Sequence, residues 1–387
     1  MKALSPRVGR FTESVIRMMT QVCERHGGIN LAQGFPDFDP PEVLREAAKR
    51  AIDSGYNQYS VTWGSPAFRR AIAAKYSRQW GIELDADRHV TVTCGATEAM
   101  IATLMALIEP GDEVIIFEPF YENYGPDTIL SGATPKYVPL REPDYTFDRA
   151  ELRAAFSPRT KAIIVNTPVN PVGRVFRRED LQAIADLATE FDTYVVTDEI
   201  YEHIVYRGLR HVPMATLPGM FERTITISGM SKTYSVTGWR IAYAISPESV
   251  SPAIRKVHDF LTVGAPAPLQ EAGVVAMGLP DSYYEELARM YDEKRATMLG
   301  ILTEAGFRCH DPEGAYYIMT DIGHFGFKDD TEFALWLAKE VGVAGVPGSS
   351  FYSRRDLGAT KLRFAFPKKP ETMERVAERL MTLRRRI

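Results

Sequence analysis

The sequence predicts an α/β protein with two parts: a large domain with a mostly parallel central sheet flanked by helices, and a smaller α/β domain built from both termini. Short apolar, β-branched runs alternate with helical segments through the middle of the chain. Such alternation is typical of a parallel sheet covered on both faces. Toward the C-terminus the pattern changes to one long helical segment followed by short strands. A chain of 387 residues with 45% apolar content is long enough for more than one compact domain.

The central sheet is predicted from five buried apolar runs, which are residues 90–93, 114–117, 162–166, 194–198 and 224–228. Residues 179–191 are predicted to form a helix that packs on this sheet, because Leu181, Ile184 and Leu187 fall on one helical face. The large domain is therefore expected over residues 46–280. Ligands of such sheets bind beyond the carboxyl ends of the strands, so the residues after each run are the candidate site.

The smaller domain is expected from residues 1–45 and 281–387, and the turn-rich residues 34–41 belong to its N-terminal part. A long helix is predicted over residues 281–305. Three short strands and a closing helix are predicted after it, at residues 315–320, 343–346, 361–366 and 370–386.

Composition excludes several classes of function. The net charge of −4 is spread along the chain, which argues against nucleic-acid binding and against an anionic membrane surface. Three scattered cysteines fit a reducing cytoplasm rather than a disulfide framework. The histidines and cysteines lack metal-ligand spacing, so no metal site is expected. No signal peptide and no apolar run long enough to span a membrane is found, and a cytoplasmic location is expected.

The first two strand ends carry features that suit a flat, phosphorylated ligand. Gly95, Ala96 and Thr97 form a small-residue turn that opens a helix, and the free N–H groups of such a turn suit a phosphate. An ordinary strand-to-helix turn is the alternative. Tyr121 follows the second strand, where an aromatic side chain can stack on a flat ring or simply pack at the surface.

The next two strand ends carry polar side chains. The proline-broken turns around Asn166 and Asn170 predict a rigid loop whose amide can donate to a ring oxygen or a carboxylate. Asp198 ends a buried strand, and a carboxylate there needs a partner. A protonated pyridine nitrogen supplies one, and a helix N-cap is the alternative.

The fifth strand end carries Lys232, eight residues before Arg240, in a stretch with almost no other charge. A single lysine is usually exposed. A desolvated lysine near another cation has a lowered pKa and becomes a nucleophile toward carbonyls. Phosphate, flat ring, ring nitrogen and aldehyde are all features of pyridoxal 5′-phosphate, so the five strand ends together predict this cofactor.

Three motifs carry a family resemblance: Ser231-Lys232-Thr233 with Thr237-Gly238-Trp239-Arg240, Asn166-Thr167-Pro168 with Asn170-Pro171, and Asp198-Glu199-x-Tyr201. They resemble the fold-type I, class I/II aminotransferases that use pyridoxal phosphate. Residues 31–41, 57–59, 118–124 and 166–176 resemble the glutamine/kynurenine aminotransferase (cysteine-conjugate β-lyase) branch. The resemblance extends from about residue 31 to residue 366.

The resemblance implies a role for each position. Lys232 is the lysine that holds the cofactor as an imine and the catalytic acid/base. Asp198 pairs with the ring nitrogen and Tyr121 stacks on the ring. The ring oxygen is bound by Tyr201 and Asn170. The phosphate ligands implied are Gly95, Ala96, Thr97, Arg240, a hydroxyl from Ser228 or Ser231, and Tyr59 of a neighbouring subunit, which implies a homodimer.

The substrate carboxylate is implied to bind Arg363, Asn170 and the backbone of Gly34. Alternation along the strand supports Arg363, because Leu362 and Phe364 face the apolar side and the arginine faces away from it. Guanidinium groups bind carboxylates bidentately.

Some positions depart from the family pattern, among them Val169, Val172 and Gly229, where many relatives have other residues.

The predicted reaction moves an amino group from an L-amino acid, such as glutamine, methionine or an aromatic one, to a 2-oxo acid by a ping-pong mechanism. A β-lyase acting on cysteine conjugates is an open alternative, since it uses the same residues. A remote alternative is the sensing domain of a regulator, although about thirty residues ahead of the family motif are too few for a DNA-binding domain.

Overall fold

The computed structural model describes residues 3–383. Its largest sheet has seven strands in the order β2-β8-β7-β6-β5-β3-β4. Within this sheet, β8 runs in the direction opposite to that of the other six strands. The thirteen strands of the described residues are β1 (Ile29–Asn30), β2 (Val90–Thr93), β3 (Glu113–Glu118), β4 (Thr134–Pro139), β5 (Thr160–Asn166), β6 (Tyr194–Asp198), β7 (Thr224–Gly229), β8 (Ala242–Ile245), β9 (Arg308–Cys309), β10 (Tyr317–Asp321), β11 (Val343–Ala344), β12 (Val346–Pro347) and β13 (Lys361–Ala365).

Helices cover both faces of the seven-stranded sheet. All α-helices of the described residues, including those beside the smaller sheets, are α1 (Val15–Arg25), α2 (Glu42–Asp53), α3 (Pro66–Trp80), α4 (Ala86–His89), α5 (Ala96–Leu107), α6 (Tyr124–Ser131), α7 (Arg149–Ala155), α8 (Arg178–Glu190), α9 (Met230–Thr233), α10 (Ser251–Thr262), α11 (Ala267–Met277), α12 (Asp281–Glu304), α13 (Asp330–Trp336) and α14 (Pro370–Met381).

Alternation along the strands decides which face each helix covers. Ile116 belongs to the hydrophobic cluster that contains Leu104 of α5, whereas its neighbour Ile115 belongs to the cluster that contains Ile184 of α8. Successive side chains of a strand point to opposite faces. Both faces of the sheet are therefore buried at its central strands, as the sequence predicts.

All five predicted central strands are present, and the predicted helix 179–191 is α8. Two strands of the sheet were not predicted. Edge strand β4 contains two prolines and a lysine and is only partly buried, so it lacks a buried-strand pattern. Strand β8 is a four-residue run with two alanines, and it is too short and too weakly β-branched to stand out.

The remaining strands form two smaller sheets. Strands β12, β13, β10 and β9 form an antiparallel sheet, and β1 pairs with β11. These strands come from residues 29–30 and 308–365, which lie in the segments predicted for the smaller domain. The exact division of the chain into domains stays a prediction. The predicted closing helix is shorter than expected, ending at Met381, and its last residues lie outside the described part of the chain.

Two further features of the structure concern membranes and metal ions. No helix between residues 3 and 383 is both long and apolar enough to cross a membrane. The same described residues contain no group of three or more His, Cys, Asp or Glu side chains placed to hold a metal ion.

Candidate active site

A cavity of about 100 Å³ lies at the carboxyl ends of the central strands. It has both polar and aromatic walls. The predicted site residues among those that line it are Ala96, Thr97, Tyr121, Asn170, Asp198, Tyr201, Ser231, Lys232 and Arg240. The five strand ends singled out in the sequence, which are far apart along the chain, thus meet at one place.

Lys232 stands at the centre of this arrangement. It lies in α9, a single helical turn that begins directly after β7. Its Nζ donates a hydrogen bond to the carbonyl oxygen of Gly34 at 3.2 Å. The pKa of Lys232 is lowered to about 8, chiefly by burial and then by the charge of Arg240, while Asp198 opposes the shift. A substantial neutral fraction therefore exists near neutral pH, and a neutral amine is the nucleophilic form.

Asp198 ends β6 and is buried. Its Oδ2 accepts a hydrogen bond from the Tyr124 hydroxyl at 2.7 Å, and its Oδ1 accepts one from the backbone N–H of Ile200 at 3.3 Å. Burial raises the pKa of Asp198, while these two hydrogen bonds and the charge of Lys232 act in the opposite direction. A cationic ring nitrogen beside this carboxylate would favour its ionised form.

The loop after β5 is tied to β6. The Asn166 side chain donates to the carbonyl oxygen of Asp198 at 2.9 Å, and its own oxygen accepts from the backbone N–H of Asn170 at 2.7 Å. Asn170 in turn accepts a hydrogen bond from Arg363 at 2.8 Å. These bonds hold the Asn170 side chain in the cavity, so it is preorganised to bind a ligand.

Arg363 is fully buried, although its pattern suggested a polar strand face. It does lie on the opposite face of β13 from Leu362 and Phe364, but that face is covered by aromatic rings. Its guanidinium lies 4.2 Å from the centre of the Tyr317 ring and 4.8 Å from that of Phe351. The stacking fixes the plane of the guanidinium, which is what bidentate binding of a carboxylate requires.

The turn at Gly95 brings the N-terminus of α5 and the Arg240 guanidinium together. Gly95 has φ +88, and a Cβ at this position would lie 2.2 Å from Nη2 of Arg240. The guanidinium therefore lies directly against the turn that begins the twelve-residue helix α5. A helix N-terminus with an adjacent guanidinium suits a phosphate group.

The two candidate serines are placed differently. Ser231 lines the cavity, whereas Ser228 does not. The Ser228 hydroxyl donates to the buried carboxylate of Glu202 at 2.7 Å. Of these two serines, only Ser231 is therefore placed at the cavity.

Five predicted residues are not among those that line the cavity: Gly34, Tyr59, Gly95, Ser228 and Arg363. Tyr59 has 87% of its surface exposed. Gly34 reaches the site through its carbonyl oxygen, which accepts from Lys232 and from Tyr316. A Cβ at Gly34 would lie 2.1 Å from the Tyr317 hydroxyl, so only glycine fits here.

Sequence reasoning missed Tyr317 and Asp127, which also line the cavity. Tyr317 stacks on Arg363, and its hydroxyl lies 2.9 Å from that of Tyr201. The signal for Tyr317 was a pair of tyrosines at the start of a short strand. The signal for Asp127 was a single acidic residue inside a short, otherwise uncharged helix.

The comparisons with known proteins agree with this geometry. The family model for class I and II aminotransferases matches residues 26–380. The chain belongs to this family. It is 39% identical over 391 residues to a probable N-succinyldiaminopimelate aminotransferase of Mycobacterium tuberculosis, covering 98% of each chain. It is 38% identical over 371 residues to a methionine aminotransferase of Escherichia coli, covering 96% of each.

Solved structures give the same result. The structure of N-succinyldiaminopimelate aminotransferase from Mycobacterium tuberculosis superposes with a TM-score of 0.95 at 39% identity, over 99% of this chain and 100% of that one. The human kynurenine–oxoglutarate transaminase 3 is 36% identical over 380 residues, covering 90% of this chain and 84% of that protein. These findings confirm the predicted fold and the kynurenine aminotransferase branch.

This aminotransferase therefore uses pyridoxal 5′-phosphate and transfers an amino group between an amino acid and a 2-oxo acid. The side chains at the cavity fit that cofactor. They include an amine of lowered pKa for the aldehyde, a buried carboxylate for the ring nitrogen, and a helix end with a guanidinium for the phosphate. The predictions of an enzyme and of its cofactor are confirmed.

Replacing Gly95 by alanine should weaken cofactor binding about tenfold, because the new methyl group would displace the Arg240 guanidinium and forfeit a charge-assisted hydrogen bond. The measurement is an absorbance titration of the apoprotein with pyridoxal phosphate. Gly238→Ala is the matched control, since a Cβ at Gly238 meets nothing within 4 Å. Equal affinities for the two variants would contradict the prediction.

Proposed function

We propose that Lys232 binds the cofactor aldehyde and moves the substrate proton in an aminotransferase that prefers amino acids with uncharged side chains. One observation carries the proposal: the Lys232 amine, with a pKa lowered to about 8, shares one cavity with Asp198, Asn170 and Arg240. These groups match the aldehyde, the ring nitrogen, the ring oxygen and the phosphate of pyridoxal phosphate.

The other cofactor contacts are proposed for residues that line the same cavity or lie beside it. Tyr201 and Asn170 bind the ring oxygen, and Tyr121 stacks on the ring face. The proposed phosphate ligands are Gly95, Ala96, Thr97, Ser231 and Arg240, which lie at the N-terminus of α5 and beside it.

Bound pyridoxal phosphate supplies an electron sink for the charge left on the substrate Cα when its proton is removed. Lys232 acts as the base because its lowered pKa leaves part of the amine neutral near pH 7. The same Nζ then carries the proton to its acceptor carbon. Asp198 stabilises a positive charge at the ring nitrogen, since an opposite charge within a few ångströms favours the ionised form.

Arg363 is proposed to bind the α-carboxylate of the substrate, with Asn170 and the Gly34 backbone completing this end of the site. The guanidinium is held by hydrogen bonds to Asn170 and to the carbonyl oxygen of Ala32, the latter at 2.6 Å. Its Nε is buried without a hydrogen-bond partner among the described residues. An unpaired donor on a fixed guanidinium suits a carboxylate.

The preference for uncharged side chains rests on the remaining wall. Among described residues, the basic side chains that line the cavity are Lys232 and Arg240, and both already have roles. The rest of the wall includes the rings of Tyr121, Tyr124 and Tyr317. A side-chain carboxylate would be buried there without a cation, which is costly. Methionine, glutamine and aromatic amino acids fit better, and two relatives are named for methionine and kynurenine.

We further propose a homodimer in which Tyr59 reaches the phosphate bound by the other subunit. Tyr59 is almost fully exposed, and Phe260 is 92% exposed on the neighbouring α10 segment. Packing of Gly264 against Thr62 brings these two segments together. Large, highly exposed apolar side chains on neighbouring segments are typical of a subunit interface. A cytoplasmic location is proposed because Cys23, Cys94 and Cys309 are all free.

Replacing Lys232 by alanine should lower turnover by about 10²–10⁴-fold or more, because the general base is lost. The folded protein should keep its circular dichroism spectrum. Borohydride reduction followed by mass spectrometry should fix the cofactor to the wild type and not to the variant. Lys256→Ala, at an exposed position, is the control and should behave as wild type. Wild-type turnover in Lys232→Ala would exclude the proposed role.

A screen of amino donors with several 2-oxo acids should give kcat/KM values for methionine, glutamine or phenylalanine at least about tenfold above that for aspartate, because burying an unpaired carboxylate is costly. The cofactor's visible spectrum reports each half-reaction. Preference for aspartate would contradict the proposed side-chain class. Pyruvate released from a β-substituted substrate without any acceptor would instead favour the β-lyase.

Hybrid dimers test the contribution of Tyr59. Tyr59→Phe alone should weaken cofactor binding by loss of one hydrogen bond to phosphate, about tenfold. Mixing it with Lys232→Ala should restore tight binding and activity to one site per hybrid, since the intact lysine and the intact tyrosine then come from different subunits. Absence of any recovery in isolated hybrids would show that Tyr59 does not act across an interface.

A further inference from the structure

Asp127 is a buried carboxyl group that the proposed mechanism does not use. It lies in α6, one helical turn after Tyr124, and is only 5% exposed. No described residue donates a hydrogen bond to its Oδ2. Burial raises the pKa of Asp127 to about 8, which is the shift expected of a carboxyl without a cationic partner. Such a group destabilises the protein unless something else binds it.

The cavity gives Asp127 a place to act, because Asp127 is among the residues that line it, together with Asp198 and Tyr124. The Tyr124 hydroxyl donates to Asp198 at 2.7 Å. The pKa of that hydroxyl is raised first by burial and then by the charge of Asp198, and the charge of Asp127 acts on it in the same direction. Tyr124 thus hydrogen-bonds Asp198 and lies one turn before Asp127 in α6, so it links the two carboxyl groups along this wall of the cavity.

We propose that Asp127 is a further cofactor-binding residue, a second carboxyl group that faces the protonated ring nitrogen end of pyridoxal phosphate beside Asp198. The inference rests on the proposed role of Asp198. A buried carboxyl without a partner in the chain is matched by a cationic nitrogen, which supplies both a charge and a hydrogen-bond donor. The class of ligand recognised is a protonated heteroaromatic ring.

A neighbouring threonine provides a matched control. Thr128 follows Asp127 in the same helix, is fully buried, and also has a side-chain oxygen without a hydrogen-bond partner among the described residues. It does not line the cavity. Thr128→Val therefore removes a buried polar atom from α6 without touching the ligand site.

The experiment measures the dissociation constant of apoprotein, prepared from the full-length holoenzyme, for two ligands. One is pyridoxal phosphate, and the other is its analogue with carbon in place of the ring nitrogen. Asp127→Asn should weaken binding of pyridoxal phosphate about tenfold, because a charged hydrogen bond becomes a neutral one. It should leave binding of the analogue unchanged, and Thr128→Val should alter neither.

Thermal unfolding of the apoprotein gives an independent readout. Asp127→Leu should raise the melting temperature, since it removes a desolvated carboxyl, while it weakens binding of pyridoxal phosphate. Stability and affinity that move in opposite directions are the mark of a binding residue. Unchanged affinity for pyridoxal phosphate in Asp127→Asn, or an equal loss for both ligands, would overturn the inference.

Asp198→Asn separates this inference from the proposal on which it rests. A nitrogen-dependent loss of affinity in Asp198→Asn, without one in Asp127→Asn, overturns the role of Asp127 alone. No nitrogen-dependent loss in Asp198→Asn overturns the role of Asp198, and the inference with it.

Discussion

The register of three parallel strands decides where the site lies. Asn166 at the end of β5 pairs with Asp198 at the end of β6, and Asp198 pairs with Ile227 of β7, just before the turn that carries Lys232. Parallel strands end at the same edge of a sheet, so an amide, a carboxylate and an amine come side by side. A shift of one residue in this register would turn these side chains to the opposite face of the sheet.

The charges around the cavity are kept apart rather than paired with one another. Within residues 3–383, no ion pair within 4.0 Å joins Lys232, Arg240, Arg363 or Asp198 to any partner. In the proposed function, their counter-charges are those of the ligands, which are a phosphate, a carboxylate and a ring cation. Binding of the cofactor therefore also stabilises the folded protein, because the ligand binds the native state and not the unfolded chain.

Much of the candidate site could be predicted from the sequence, because its polar side chains come directly after strongly apolar strands. What could not be predicted depends on contacts between distant segments. Nothing in the alternation around Arg363 reveals that Tyr317 and Phe351 enclose it. The choice between Ser228 and Ser231 depends on Glu202, whose buried carboxylate accepts a hydrogen bond from Ser228. Asp127 is informative only when its burial is known, since an isolated acidic residue in a short helix is usually solvated.

The hydrogen bond from Arg363 to the carbonyl oxygen of Ala32 spans 331 positions of the chain. It joins the loop after β1 to β13, close to the two ends of the protein. Contacts between residues so far apart in sequence form slowly, since a very long loop must close first. During synthesis on the ribosome this part of the cavity, which is proposed to bind the substrate carboxylate, is consequently assembled last, after the central sheet can already have folded. Recovery of turnover during refolding therefore requires that these distant segments have come together. Recovery of helical content requires only that the individual helices have formed.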